Sequence, residues 1–360
     1  MRHQKIAAGI SIVAALLFLN TKVVVASDIT DSKMRLVKTI AGSISPKSVA
    51  ASQNGLVSAH NMMYNHSVTI YDSKSMELVT TVSDQVKLSE LGIKGFSGSY
   101  KGAPVEGAYS PDNKYLYFTN YAMYGKGFNK EGHDVCSPAS GIDTSYLSRI
   151  NLENFQIDAV YPVGSVPKVV KVSPDNKYIL VSNWCSYTLS VISVADQKVI
   201  KSIKIGRYPR GIAISSDSKF AYVVEMGGNN IHRINLDDFS QKLIPIGSNP
   251  RAVQLSPDDA ILYATLNISG KVIAWDLENN REIATVKTGQ AARSLALSGD
   301  GSTLFVVNFN SDTLTKLRAA DLSKVQTFKV CNEPIGVTYD NESNRTWVAC
   351  YGGSIKVYQN

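Results

Sequence analysis

Apolar and polar residues alternate along this chain in short bursts. Around Val170 the sequence reads VKVSPDNKYILVSNW: an apolar run, a Ser-Pro-Asp-Asn break, then a second run that closes on Asn183. Short runs rich in β-branched and aromatic residues, bounded by turn formers, predict a β-hairpin. The 18 Tyr fit the same bias toward strands. Proline sets the first turn angle, and Asp or Asn caps the turn backbone. The recurring turn residues Asp112, Asp175 and Asp258 are therefore read as structural, not catalytic.

The phrase repeats. Five segments run in register without gaps, anchored at Pro167, Pro209, Pro250, Ala292 and Pro334, with spacings of 42, 41, 42 and 42 residues. Two more copies anchor at Pro46 and Pro104, where the spacings lengthen to 58 and 63 residues. The extra residues are rich in Gly, Ser and Tyr and are read as long loops. Each unit offers four strand-like runs, as in GIAIS, FAYVVE, IHRINL and KLIPIG of the fourth unit. Seven such units predict an all-β, seven-bladed β-propeller. A lone four-stranded sheet cannot cover both its faces, whereas seven packed around an axis cover one another. SIKVYQN at the end reads as the third strand of the last unit, and RLVKTIAGSISP from Arg35 aligns with KVIKSIKIGRYP from Lys198. The N-terminal strand is thus expected to complete the last blade. Second strands end in Asn61, Asn120, Asn183 and Asn308, with Glu225, Leu266 and Cys350 at equivalent places, which points to a repeated structural role.

The first residues break the pattern. Arg2, His3 and Lys5 precede an apolar run from Ile6 to Leu19, and Val24 and Ala26 suit a signal-peptidase site. Residues 1–26 read as a cleaved secretory signal peptide, leaving 27–360 as a single propeller domain in the periplasm or outside the cell. Loss of Arg2, Lys5 and Lys22 lowers the formal charge from +7 to +4, mildly basic. Export also gives the four cysteines a role as two disulfides. With no CxxC or CxxCH, no zinc or haem site is indicated. No cofactor and no second membrane-crossing segment are expected, and the domain is expected to be a monomer.

Units reading GxxPxxhxhSPDxxxhhVxN resemble the YVTN-repeat β-propellers, which include surface-layer-type and YncE-like exported proteins. YFTN at Tyr117–Asn120 and LVSN at Leu180–Asn183 carry the eponymous tetrapeptide in degenerate form. The resemblance covers essentially all of the chain after the signal segment and is specific for fold. It implies an exported recognition scaffold, a family in which some YncE-like members bind DNA. Related propellers include lactonases, lyases and dehydrogenase subunits, and no motif here selects one of them.

In a propeller the loops after each second strand and before each first strand share one rim. Both inserts and all four cysteines map there. The pairs Cys136–Cys185 and Cys331–Cys350 are expected, with the other pairings left open. The residue after each anchor is Lys47, Val105, Lys168, Arg210, Arg251, Arg293 and Ile335 in blade order, so five of seven are basic. Rotation brings them into a partial ring, and like charges gathered this way invite an anion: nucleic acid, an envelope polymer or an acidic protein. The competing reading is that each base pairs with an adjacent acid or a loop carbonyl. Glu106 and Glu333, on the blades without a base, suggest a small acidic sector. Tyr121, Tyr124, Phe128, Tyr146 and Trp184 could stack on sugars or bases, or pack an insert onto the rim. Trp184 is counted with the ligand-binding residues. An enzymatic alternative would use a metal or acid–base site from His60, His133, Asp134 and Glu225.

Overall fold

The computed structural model describes residues 29–360, so the signal-peptide segment lies outside the described residues. Those residues form seven four-stranded antiparallel sheets, each a blade with its first strand innermost. The innermost strands are Pro46–Ala51, Pro104–Tyr109, Pro167–Val172, Pro209–Ile214, Pro250–Leu255, Ala292–Leu297 and Pro334–Asp340. Arg35–Ala41 pairs antiparallel with Ser354–Gln359, so the N-terminal strand completes the seventh blade and closes the ring.

Burial explains the sequence pattern. Second strands such as Tyr178–Asn183 lie between neighbouring blades, are buried on both faces and read as continuous apolar runs. Fourth strands form the outer edge, with Lys198–Lys204 mostly exposed and lysine-rich, a composition that blunts edge pairing. Apolar clusters fill each gap between blades; Leu180, Val191, Ile212 and Val223 belong to the one between blades three and four.

Each Ser-x-Asp turn closes on itself. Ser173 Oγ donates to Asp175 Oδ1 at 2.7 Å and accepts the Tyr178 N–H at 2.9 Å, while Asp175 Oδ1 accepts the Lys177 N–H at 3.1 Å. Ser110, Ser215, Ser256 and Ser298 repeat the Ser–Asp bond.

Candidate functional site

At the opposite end of each innermost strand the backbone is irregular. All seven strands lose register with their partner just after the anchor, for example between Pro167 and Val170 and between Pro209 and Ile212. Such a bulge re-aims the side chain it carries. That side chain is the residue after the anchor, the column holding the five bases. Five non-glycine residues just before the anchors, Val166, Tyr208, Asn249, Ala291 and Glu333, have φ between 52° and 59°. This left-handed conformation is costly, above all for β-branched Val166.

A buried clamp holds the approach loop in blades one, three, four and six. Asn183 Oδ1 accepts the Gly164 N–H at 3.1 Å, and its Nδ2 donates to Thr188 Oγ1 and Ser190 Oγ at 3.1 and 2.9 Å. Asn61 holds the Ser45 N–H at 3.1 Å in the same way, and Asn308 accepts the Thr288 hydroxyl at 2.7 Å. In the fourth blade Glu225 takes over this duty, accepting the Arg207 N–H at 3.1 Å.

The five bases converge on one mouth of the channel. Lys168, Arg210 and Arg251 are only 5, 7 and 7% exposed, while Lys47 and Arg293 are partly buried. Burial and the nearby Arg210, Arg251 and Arg293 pull the Lys47 pKa down to about 7. Burial, Arg210 and Lys47 drive Lys168 well below the ordinary lysine range. Burial also lowers Arg210 and Arg251, and lowers Arg293 to about 10, yet guanidinium keeps its proton at neutral pH. The ring therefore has a fixed-charge side on blades four to six and a titratable side on blades one and three.

Partners of these bases are mostly apolar. Lys47 Nζ lies 4.9 Å from the Tyr351 ring, Lys168 Nζ lies 4.3 and 5.4 Å from Tyr121 and Trp184, and the Arg293 guanidinium lies 3.5 Å from Phe309. Arg251 Nη1 meets Met226 Sδ at 3.5 Å. Only Arg210 has a carboxylate within ion-pair range, Glu106 at 3.7 Å, among the described residues. Glu106 is thus set among the bases, not in a separate acidic sector. Burial raises its pKa, against the pull of Arg210, Lys171, Arg251 and Lys47. Glu333 is exposed, and its charge favours the protonated form of Arg293. Below the mouth runs a cavity of about 700 Å³ lined by all seven innermost strands, including Glu106, Lys171, Arg210, Arg251 and Arg293.

Tyr121, Trp184, Met226, Phe309 and Tyr351 occupy one repeat position, directly after the second strand. The sequence reading passed over Met226, Phe309 and Tyr351. The signal was present as a column, but its residue types vary too much to stand out. Trp184 is the most enclosed ring of this column beside Lys168. It is 8% exposed, stacks on Tyr208 at 4.5 Å and donates from Nε1 to the Asp134 carbonyl at 3.2 Å, so it positions Lys168 and the insert. Phe128 and Tyr146 pack with Phe96 and Tyr100 from the first insert.

Two disulfides stand on this rim, Cys136–Cys185 and Cys331–Cys350. The first joins the second insert to the third blade, and Tyr187 Oη donates to the Cys136 carbonyl at 2.7 Å. The insert brings Asp134 near the ring, where its charge favours the protonated form of all five bases.

The proposed metal set is not assembled. His60 is fully buried, takes part in a hydrogen bond with Ser48 Oγ at 2.9 Å, and its Nε2 faces Gly107, where any Cβ would collide. Burial drives its pKa down to about 3. His133 is exposed on the insert. Glu225 serves the loop clamp and faces His232 Nε2 at 3.6 Å. Among the described residues no group of three or more His, Cys, Asp or Glu side chains could hold a metal ion.

Residues 139–219 match the profile of the YNCE-like beta-propeller family. The chain is 28% identical over 155 residues to Antigen Lp49 of Leptospira interrogans, covering 40% of this chain and 33% of that protein. It is 34% identical over 110 residues to the dihydro-heme d1 dehydrogenase of Pseudomonas aeruginosa, covering 29% of this chain and 21% of that one. The matched stretches thus span a third or less of these curated relatives. Among solved structures, the Kuenenia stuttgartiensis hydrazine synthase superposes with a TM-score of 0.70 at 17% identity, over 89% of this chain and 97% of that one, a likeness of fold alone. With its seven closed blades the chain is a β-propeller, and its residues 139–219 are similar to the YNCE-like family.

Proposed function

We propose that the protein is an anion-binding scaffold whose site is the basic mouth of the channel. One observation carries this reading. Five basic side chains converge there, three of them guanidiniums, and among the described residues none of the five donates a side-chain hydrogen bond to an oxygen; one ion pair, Arg210–Glu106, offsets the charge. Buried charge without partners is costly, and an anion entering the mouth would remove that cost. The cavity beneath suits a compact anionic group, whether free or at the end of a polymer or acidic protein segment.

We also assign the protein to a compartment outside the cytoplasm, since two disulfides fit an oxidising environment. Among the described residues no helix is long and apolar enough to cross a membrane. The enzymatic alternative draws support from the partial similarity to a dehydrogenase. It needs a reactive group at the same mouth.

The test is titration with sulfate, tripolyphosphate and an oligonucleotide by calorimetry at two salt concentrations. Replacing Arg210, Arg251 and Arg293 together by Ala should weaken binding by ~30-fold or more, the scale of a lost buried charge contact, and flatten the salt dependence. Unchanged affinity in the triple variant would sink the proposal.

A further inference from the structure

The ring is uneven in a way that bears on chemistry. Equivalent positions carry Arg on blades four, five and six and Lys on blades one and three. Glu106 belongs to the blade between the two lysines. A guanidinium can only hold an anion, whereas a lysine amine freed of its proton is a nucleophile.

The two lysines differ in access. Lys168 is enclosed between Tyr121 and Trp184. Lys47 is partly open, lies over the Tyr351 ring and makes no hydrogen bond to an oxygen among the described residues. It faces the fields of Arg210, Arg251 and Arg293, and the carboxylate of Glu106 lies within the same cluster.

From this arrangement we infer that Lys47 is a nucleophilic amine that condenses with the carbonyl of a small keto or aldehyde acid held by Arg210, Arg251 and Arg293. The inference rests on the anion-binding reading of the same mouth. The Lys47 Nζ lone pair forms a bond to the carbonyl carbon, giving a carbinolamine. The C–O bond then breaks, and the oxygen leaves as water with the two amine hydrogens, leaving an imine. The step consumes no oxidant or reductant. Burial and the three arginines supply the neutral amine at neutral pH, as in other desolvated lysines set beside cations.

The experiment uses glyoxylate with cyanoborohydride at neutral pH, followed by peptide mass mapping of the trapped secondary amine. Lys47 should be labelled on the order of a hundredfold faster than exposed lysines such as Lys198 and Lys242, given its larger neutral fraction. Excess sulfate should protect it, and neutral propanal should show no such selectivity. The Lys47→Arg variant should lose the label while still binding sulfate. Labelling spread according to exposure, or falling on Lys168 instead, overturns the inference. Sulfate binding with Lys47 unlabelled overturns the imine alone, whereas loss of both overturns the anion site beneath it as well. The wild-type labelling map keeps the test valid even where a variant folds poorly.

Discussion

The two ends of each innermost strand obey opposite rules. At the Ser-x-Asp end the turn Ser and Asp find local partners: Ser173 bonds to Asp175 and to the Tyr178 N–H, and Lys177 pairs with Asp175 at 3.0 Å. At the anchor end three cations are more than nine-tenths buried with rings, sulfur and one carboxylate for company. Both ends belong to the same repeat, so fold stability alone does not require the second arrangement. One end closes its turns with local bonds, and the other is the end at which we propose an anion binds.

The contrast can be broken by removing polarity at each end. Arg251→Met should raise the stability of the ligand-free protein by about 2–3 kcal/mol, since a well-packed apolar group replaces a buried, weakly paired charge. Chemical denaturation without added anions checks this; a fall in stability would mean that Arg251 is already satisfied. Asn183→Ala should act the other way, by about 2 kcal/mol. It strips the Gly164 N–H and two hydroxyls of their buried partner. Ser173→Ala should cost about 1 kcal/mol by undoing one turn, with sulfate affinity unchanged. Lower affinity in that variant would show that the two ends are coupled.

The blades were legible because a repeat states the same thing several times. Anchors 41 or 42 residues apart set the ring, and the column after each anchor held the five bases. Three features of the mouth were hidden. The bulge that aims the bases is a backbone irregularity with no residue type of its own. The ring-bearing column mixes Trp, Tyr, Phe and Met, which share polarizability but not sequence identity. Asp134 sits in an insert whose path follows no period, so its place beside the ring came only from the disulfide and the Trp184 bond. Glu225 fitted two readings, an alternative metal ligand and the structural column of second-strand ends, and the second holds. In its repeat column it does the work of Asn, accepting a loop N–H.

The dependence on pH also separates the two ends. Lys47 titrates at about 7 in the fold, below the 10.5 of an unperturbed lysine, so above pH 7 the unfolded chain binds more protons than the folded one. Stability without ligand should therefore rise between pH 7 and about 9.5, before the tyrosines begin to titrate. The slope should shrink in Lys47→Met and persist in Ser173→Ala. His60, held down to about 3, acts in a separate window, adding stability as pH climbs from 3 toward 6.5. A bound anion favours protonated Lys47, so sulfate binding should take up a proton and weaken as pH rises through 7. Calorimetry in two buffers of different ionisation enthalpy measures that uptake directly. A sulfate affinity constant from pH 6 to 9, with no proton uptake, would remove Lys47 from the site and leave the fixed-charge arc of arginines to hold the anion alone.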